Sequence, residues 1–170
     1  GYHTLASVAA PVLSPGFGVT EGFHGFDGAK PEAEPSAREV NERLLARIDA
    51  RDANDARPLF ALVNYYDAHG PYVARPEHAP WIDRTRMKRM VDLARKVEGQ
   101  PRFARIAAGL EKLSDEERAA AVDNYDSGIA RADQALGELL AALEERGLRE
   151  NMLVVVTSDH GEYFGEHGLY

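Results

Sequence analysis

The feature that most constrains the fold is a long amphipathic helical pattern with a short apolar run on either side of it. The helical pattern covers residues 114–148, the preceding run covers residues 59–63, and the following run covers residues 154–156. Both runs are too short for typical helices, so they predict strands. Strands that alternate with helices favour an α/β fold in which parallel strands are covered by helices.

The long helix has sequence signals at both of its ends. Ser114 and Glu117 have the spacing of a capping box, in which each side chain bonds the backbone N–H of the other residue. Gly147 is a typical C-terminal stop. Between these ends, residues at helical spacing predict an apolar stripe formed by Tyr125, Ile129, Ala132, Leu136, Leu139, Leu140 and Leu143.

The N-terminal part of the chain predicts a strand, a loop and a helix. Residues 4–14 indicate a short strand or buried segment. Residues 15–35 are rich in Gly and Pro and predict an ordered surface loop pinned by the rings of Phe17, Phe23 and Phe26. Residues 36–51 predict a helix with a capping box of Ser36 and Glu39. Its apolar face is predicted to contain Val40, Leu44, Leu45 and Ile48.

The complete order of elements defines the predicted fold class. Residues 73–115 are expected to contain one helix, with Met87, Met90, Val91, Leu93 and Val97 as its apolar residues. The rest of the chain reads as strand, helix, strand, long helix and strand. We therefore predict an α/β fold with a mostly parallel sheet flanked by helices.

Composition and charge exclude several classes of protein. The 170 residues carry a formal net charge of 20 − 28 = −8, whereas general binders of nucleic acid or anionic membranes need a basic face. There is no cysteine, which excludes disulfides and thiolate sites within these residues. No apolar stretch reaches the roughly 20 residues that span a bilayer. The chain begins without Met and stops just after an acidic cluster, so residues 1–170 are predicted to be one partial domain truncated at both ends.

Polar clusters follow two of the predicted strands at the point where each strand ends. Residues 64–69 read Asn-Tyr-Tyr-Asp-Ala-His, and residues 157–160 read Thr-Ser-Asp-His. In open α/β sheets ligands bind beyond the carboxyl ends of the strands, so parallel neighbours would bring both clusters to one edge. Asp159 and His160 combine a carboxylate with an imidazole, which predicts a site for a divalent metal ion.

His69 and His167 are candidates to act on a substrate, as hydrogen-bond donors or as a general acid. Simpler interpretations stay open for this whole set of residues. Asp159 could cap the next helix, His69 could be a solvated turn residue, and Glu162 and Glu166 could oppose a helix dipole. The other histidines are predicted to be surface or loop residues and the nearby tyrosines to be packing residues: His3, His24, His78, Tyr65, Tyr66 and Tyr72.

Four segments, taken in order, resemble the sulfatase branch of the alkaline phosphatase superfamily. "LFALVNYYDAHGPY" resembles the segment in which a strand runs into Asp-x-His-x-Pro-Tyr, and "NMLVVVTSDHGEYFGEHGLY" resembles the later segment with Asp-His-Gly-Glu and Gly-Glu-His-Gly. "YDSGIARADQALGELLAALEERGL" is similar to the helix that joins them. The opening "GYHTLASVAAPVLSPGFGVTEGFHGFD" resembles the stretch that follows the nucleophile region.

The resemblance implies an alkaline-phosphatase-like fold and the hydrolysis of sulfate monoesters of small molecules or glycans. It implies that Asp159 and His160 ligate a divalent cation, with calcium as the first candidate, although many sulfatases have Asn where His160 stands. His69 matches the histidine that contacts the sulfate and helps to protonate the leaving oxygen. His167 lies in the Gly-Glu-His-Gly turn as a further catalytic candidate.

The chain also departs from the sulfatase pattern. The family's nucleophile is a formylglycine formed within a Cys- or Ser-x-Pro-x-Arg motif, which is expected outside these residues because "AEPSAR" has Ala33 at the nucleophile position. The family's N-terminal Asp pair and a substrate-binding lysine are absent as well. Residues 1–170 alone are therefore predicted to be inactive.

Two alternatives to a sulfatase remain open at this point. One is a phosphoryl-transfer relative, such as a phosphonate monoester hydrolase or a phosphoglycerol transferase. The other is a non-catalytic member of the fold. The presence together of His69, Asp159 and His160 argues against the second, because a structural domain does not need all three.

Overall fold

A computed structural model describes residues 1–29, 34–70, 72, 79–93, 96–97 and 100–169. The chain divides into two compact units. The first, here called the sheet unit, contains Gly1–Asp67 and Ala132–Glu150. The second, the motif unit, contains Ala68–Arg131 and Asn151–Tyr170.

The sheet unit is built on three parallel strands. These are β1 (His3–Val8), β2 (Gly25–Asp27) and β3 (Leu59–Asn64), in the order β2-β1-β3. The β1–β3 register runs from the pair His3 and Leu59 to the pair Val8 and Asn64. Since β1 lies between two strands, its last four residues are buried. The predicted α/β fold with a parallel sheet is confirmed.

Helix α1 (Ala37–Asp49) connects β2 to β3 and packs against all three strands. It has the predicted capping box, in which Ser36 accepts from the Glu39 N–H and Glu39 accepts from the Ser36 N–H. Val40 and Leu44 are buried, while the predicted apolar residues Leu45 and Ile48 are only partly buried. Two of the four residues predicted for the apolar face are therefore fully buried.

The motif unit has a core formed by Ile106, Ala120, Ala121 and Phe164. Its shorter elements are α2 (Arg84–Leu93), the antiparallel strands β4 (Lys96–Val97) and β5 (Gln100–Pro101), and α3 (Arg102–Ala107). The prediction of a single helix in this region is wrong, because α2 ends before Val97 and a short strand pair with a further helix follows it. Arg102 pairs with Glu111 and Glu117, which ties α3 to the start of the next helix.

The long helix α4 (Asp115–Glu145) is confirmed with both of its predicted ends. The Glu117 carboxylate accepts from the Ser114 N–H at 2.9 Å, and the Ser114 hydroxyl accepts from the Glu117 N–H at 3.2 Å. At the other end, Gly147 has a φ of 67°, and Leu148 donates its N–H to the Leu143 carbonyl at 3.0 Å. This is a Schellman arrangement, which uses the left-handed conformation that glycine adopts at low cost.

The predicted apolar stripe of α4 is only partly correct. Leu139 and Leu143 are buried, but Ile129 is 44% exposed. Asn124 and Ser127 are buried on the first half of the helix instead, and Asn124 donates to the Ala120 carbonyl at 2.6 Å. Polar side chains that bond within their own helix can occupy buried positions, so apolar spacing alone misidentifies the face. No helix in the described parts of the chain is long and apolar enough to cross a bilayer.

The predicted strand at residues 154–156 is not formed. Residues 152–157 have no regular secondary structure, and Val155 and Val156 are 76% and 70% exposed. A strand is stable only when its backbone groups pair with a neighbour, and the described residues supply none for this run. The expectation that it joins β3 at one edge of a sheet is therefore wrong for this structure.

The glycine-rich loop at residues 15–35 also differs from its prediction. Phe23 lies 6.2 Å from Phe26 and 6.3 Å from Phe60 between ring centroids, so two of the three rings do hold the loop. Phe17 is 72% exposed and does not. The loop contains the unpredicted strand β2, which pairs with β1 at Leu5 and Gly25.

Candidate functional site

All four candidate site residues lie in the motif unit and have exposed side chains. They are His69, Asp159, His160 and His167. Other polar residues at the end of β3 and just after it have structural roles within the sheet unit. Asn64 accepts from the Ala10 N–H, and Asp67 accepts from the Ala37 N–H at the start of α1, both at 2.9 Å.

His69 and His160 are oriented in the same way by the residue that follows each. Nδ1 of His69 lies 2.7 Å from the Gly70 carbonyl oxygen, and Nδ1 of His160 lies 2.8 Å from the Gly161 carbonyl oxygen. A carbonyl only accepts, so Nδ1 donates in both cases and must carry the proton. Each neutral imidazole then has its lone pair at Nε2, which is the tautomer that suits a metal ligand or a proton acceptor.

Asp159 does not have the helix-capping role that was considered for it. Its carboxylate accepts from the N–H of the next residue, His160, at 3.1 Å, and no α-helix begins there in the described chain. The Asp159 side chain is 92% exposed. The hydrogen bond to Gly161, followed by the charge of Asp159, raises the pKa of His160 above its ordinary value. A carboxylate and an imidazole thus lie side by side with few protein contacts.

The pair Asp159 and His160 has the chemistry and spacing of two ligands to one cation. His160 Nε2 and Asp159 Oδ2 are 3.8 Å apart. Two donor atoms that are each about 2.1 Å from one ion can be separated by at most roughly 4 Å, so both can reach it. Within the described ranges, no three side chains of His, Asp or Glu come together to hold a metal ion. The pair can therefore supply part of a coordination shell, and further donors are needed to complete it.

His167 lies in a strained turn formed by residues 165–168. Its φ is 57°, and it is the only residue other than glycine with positive φ in the described chain. The flanking Gly165 and Gly168 also have positive φ, and Gly165 donates to the Leu169 carbonyl at 2.8 Å. A residue with a Cβ in this conformation costs of order 1 kcal/mol and persists only where its surroundings enforce it. Such strain favours a functional role for the imidazole.

The acids of this loop have local structural partners. The Glu166 carboxylate accepts from the Phe164 N–H at 2.6 Å, and this bond lowers the pKa of Glu166. Glu162 lies close enough to Tyr72 for its charge to act on the phenol. Burial, followed by the charge of Glu162, raises the pKa of the Tyr72 phenol. Neither acid opposes an α-helix dipole here.

Phe164 is the residue of this region that sequence reasoning missed. It is 8% exposed and lies in the core of the motif unit. Its neighbours in the chain are Glu162 and Tyr163 on one side and Gly165 and Glu166 on the other, so the surrounding sequence does not suggest burial. Its ring contacts Tyr72 and Tyr125, which confirms the packing role predicted for Tyr72. The available signal was one large apolar residue in a loop that is otherwise polar.

The histidines of the sheet unit have a different environment. His3 begins β1 with a side chain that is only 17% exposed, so its prediction as a surface or loop residue is wrong. Its Nδ1 lies 2.7 Å from Asp55 Oδ2. His24 is exposed in a loop as predicted, and it bonds Thr4 and Arg57. His78 lies outside the described residues.

Comparisons with known proteins identify the family. The family model described as Sulfatase matches residues 12–170. The multifunctional alkaline phosphatase superfamily protein PehA of Trinickia caryophylli is 29% identical, over 89% of this chain and 33% of its own length. Choline-sulfatase of Rhizobium meliloti (strain 1021) is 26% identical, over 99% and 32%. The ulvan-active sulfatase of Formosa agariphila is 30% identical, over 70% and 20%.

The chain spans about a third of the length of the first two relatives. No solved structure matches it significantly. The family match covers both polar motifs and the helix between them, and the three-stranded parallel sheet with its helices is consistent with it. The chain belongs to the sulfatase family.

Proposed function

We propose that the protein hydrolyses sulfate monoesters, with Asp159 and His160 as two ligands of a divalent cation and His69 as the acid. Membership of the sulfatase family supports sulfatase-type hydrolysis in general terms. The observation that carries the finer proposal is the shared orientation of His69 and His160, whose Nδ1 atoms both donate to the following carbonyl. This fixes which nitrogen of each ring would meet a ligand.

The proposed roles follow from the chemistry of each side chain. Asp159 supplies a carboxylate oxygen and His160 supplies Nε2 to the cation, which when bound would polarise the ester oxygens and offset the developing charge. When protonated, His69 keeps its Nδ1–H group hydrogen-bonded to the Gly70 carbonyl and donates its Nε2 proton to the leaving oxygen. His167 is a second donor to the substrate. The nucleophile is a formylglycine outside residues 1–170.

The proposed cation is calcium, and the proposed substrate is a sulfate ester of a small molecule or a glycan. The Asp159 carboxylate suits calcium, which prefers oxygen donors, whereas the nitrogen of His160 suits zinc or manganese. Two of the relatives are named for sulfate chemistry, one on choline and one on ulvan. They support the substrate class and leave the alcohol open.

One observation favours a second candidate, a phosphoryl-transfer enzyme of the same superfamily. The relative that matches 89% of the chain is named as a multifunctional member of the alkaline phosphatase superfamily. A nitrogen donor at His160 also suits cations other than calcium. The alternative function is hydrolysis of a phosphate or phosphonate monoester at the same residues.

The intact protein that contains these residues should be assayed on an aryl sulfate and an aryl phosphate. It would first be stripped with a chelator and then given calcium or manganese. Sulfate turnover restored by calcium supports the leading proposal, and phosphate turnover alone supports the second candidate. Absence of both activities would make a non-catalytic role the better conclusion. The variant His24→Ala, which changes a histidine of the sheet unit, should retain turnover and serves as the control.

A further inference from the structure

Asn41 is a buried polar residue in the interior of α1. It is 5% exposed and lies on the helix face that also buries Val40 and Leu44. Asparagine is a weaker helix former than alanine or leucine, because its side chain competes for backbone hydrogen bonds. Helix formation and apolar packing therefore do not explain an amide at this position.

The amide of Asn41 joins two other parts of the sheet unit. Its Nδ2 donates to the Ala135 carbonyl of α4 at 2.7 Å, and its Oδ1 accepts from the Tyr65 hydroxyl at 2.6 Å. A carbonyl oxygen only accepts, so Nδ2 must face Ala135 and Oδ1 is left to face Tyr65. Burial raises the pKa of the Tyr65 phenol to about 12, so the hydroxyl stays protonated and donates at neutral pH. One side chain thus links α1, α4 and the residue that follows Asn64 at the end of β3.

Asp67 makes a second bond from the same segment to the same helix. Its carboxylate accepts from the Ala37 N–H at 2.9 Å. Ala37 and Asn41 are four residues apart, so they lie one turn from each other on one face of α1. Tyr65 and Asp67 are therefore held at successive turns of one helix face.

This segment leads directly to His69. Asp67 precedes His69 by two residues, so their Cα atoms are at most roughly 7 Å apart. Holding Tyr65 and Asp67 on α1 thus limits where the backbone of His69 can lie. The bond from His69 Nδ1 to the Gly70 carbonyl orients the ring but does not provide this restraint.

We propose that Asn41 is a positioning residue, which by accepting the Tyr65 hydroxyl fixes the segment that leads from β3 to His69. This inference rests on the proposed function, in which His69 is the acid. Asn41 acts through Tyr65 and the backbone between Tyr65 and His69, without touching the substrate. Misplacement of a catalytic group by about 1 Å can cost roughly 100-fold in rate, so even a small shift of this backbone should be measurable.

Hydrogen exchange in the intact protein tests the restraint without any need for turnover. Tyr65→Phe keeps the ring and removes the hydroxyl, so the bond from Ala37 to Asp67 should open more often and the Ala37 amide should exchange about tenfold faster. Gly147→Ala is the control, because it introduces strain at a φ of 67° and lowers stability away from Tyr65. It should leave the Ala37 amide unchanged. Unchanged exchange at Ala37 in Tyr65→Phe, or equal acceleration in both variants, would overturn the proposal.

Steady-state kinetics on aryl sulfates separate positioning from loss of stability. Tyr65→Phe should lower kcat by roughly 10- to 100-fold for poor leaving groups and much less for good ones, with KM near wild type, because the effect passes through His69. Gly147→Ala should lower the melting temperature and leave kcat unchanged. Equal kcat in these two variants would overturn the positioning role. Lack of turnover by the wild-type protein would contradict the proposed function alone, because the exchange result does not depend on activity.

A double variant tests whether Tyr65 acts through Asn41. Asn41→Leu should change the leaving-group dependence as Tyr65→Phe does, and the double variant should lose no more turnover than Asn41→Leu alone. Additive losses would overturn the role of Asn41. Should Asn41→Leu fail to fold, Asn41→Asp replaces it, since aspartate keeps an acceptor for the Tyr65 hydroxyl. Asn41→Asp should retain the leaving-group dependence of the wild type, and its loss would overturn the same role.

Discussion

The histidines of the two units are held by different kinds of partner. In the sheet unit, His3 and His24 stack with ring centroids 5.1 Å apart and bond the side chains of Asp55, Arg57 and Thr4. In the motif unit, His69 and His160 each bond the carbonyl of the following glycine. Side-chain partners make an imidazole a link between elements, whereas a backbone carbonyl orients the ring and defines its tautomer. The second arrangement is typical of histidines that meet a ligand.

The acidic residues show the same difference. The Asp55 side chain is 12% exposed and bonds three basic residues, His3, Arg51 and Arg57. Asp159 is 92% exposed, and no Arg or Lys of the described chain forms an ion pair with it. The charge of Asp55 is therefore balanced within the protein. The Asp159 carboxylate has only the adjacent His160 imidazole near it, at 3.8 Å, among the ion pairs of the described residues, and it is open to solvent.

The largest expected effect is at Asp159. Asp159→Ala should lower kcat/KM by about a thousandfold or more if it is the proposed ligand, because loss of a metal ligand removes several kcal/mol of transition-state stabilisation. The matched control is Asp133→Ala, which removes an exposed carboxylate from α4 in the sheet unit. Calorimetric titration with calcium should show weaker binding for the first variant only. Turnover near the wild-type level in Asp159→Ala would remove the metal assignment.

A smaller effect is expected at His69. His69→Gln should lower turnover by roughly 10²- to 10⁴-fold for substrates with poor leaving groups, which need protonation of the leaving oxygen. Substrates with good leaving groups should lose much less. A series of aryl sulfates of graded leaving-group pKa measures this dependence, with His24→Gln as the control in the sheet unit. An equal loss along the series would argue against an acid role for His69.

A third prediction concerns acid stability in the sheet unit. The hydrogen bond from Arg57, with further bonds from His3 and Arg51, holds the pKa of Asp55 well below its usual range. A lowered folded-state pKa contributes stability above the unfolded-state value of about 4, and this contribution is lost as the pH falls through the folded-state pKa. Asp55→Asn should therefore be less stable than wild type at pH 7, by a margin that shrinks below pH 4. Urea unfolding at several pH values measures the margin, and a margin independent of pH would contradict the linkage.

The smallest expected effect is at the start of α1. Ser36→Ala should lower the free energy of unfolding by about 1 kcal/mol, because the capping bond to the Glu39 N–H is lost. Ser14 is the matched control, since it precedes a short 3₁₀ turn at Pro15–Phe17 without a side-chain cap. Thermal unfolding of Ser14→Ala should stay near wild type. Similar losses for the two variants would show that the capping bond is not the cause.

Much of the fold could be predicted because its signals are local. The caps at Ser36 and Ser114 and the stop at Gly147 depend on residues within one or two turns of the chain. The strand β2 could not be predicted, because pairing with β1 stabilises it and its three residues have no strand pattern. Residues 154–156 show the reverse case, since their composition predicts a strand but no described neighbour pairs with them.

The candidate site was predicted at the level of residue types and motifs. The positions of His69, Asp159, His160 and His167 followed from the motifs, and their roles stay predictions. The tautomers of His69 and His160 depend on the direction of a backbone carbonyl, which spacing does not define. The ring contact of Tyr72 with Phe164 joins residues far apart in the chain, so a single sequence has no local pattern that reveals it.

The left-handed backbone of His167 has a consequence for engineering and for evolution. At a φ of 57°, glycine or asparagine would relieve the strain, so His167→Gly is a route to a more stable protein. The same change would remove the imidazole. Selection for heat resistance alone would therefore favour substitutions of His167. Such variants would lose the side chain that is proposed to meet the substrate. Retaining histidine where a smaller residue is more stable is the pattern that selection for activity leaves in a sequence.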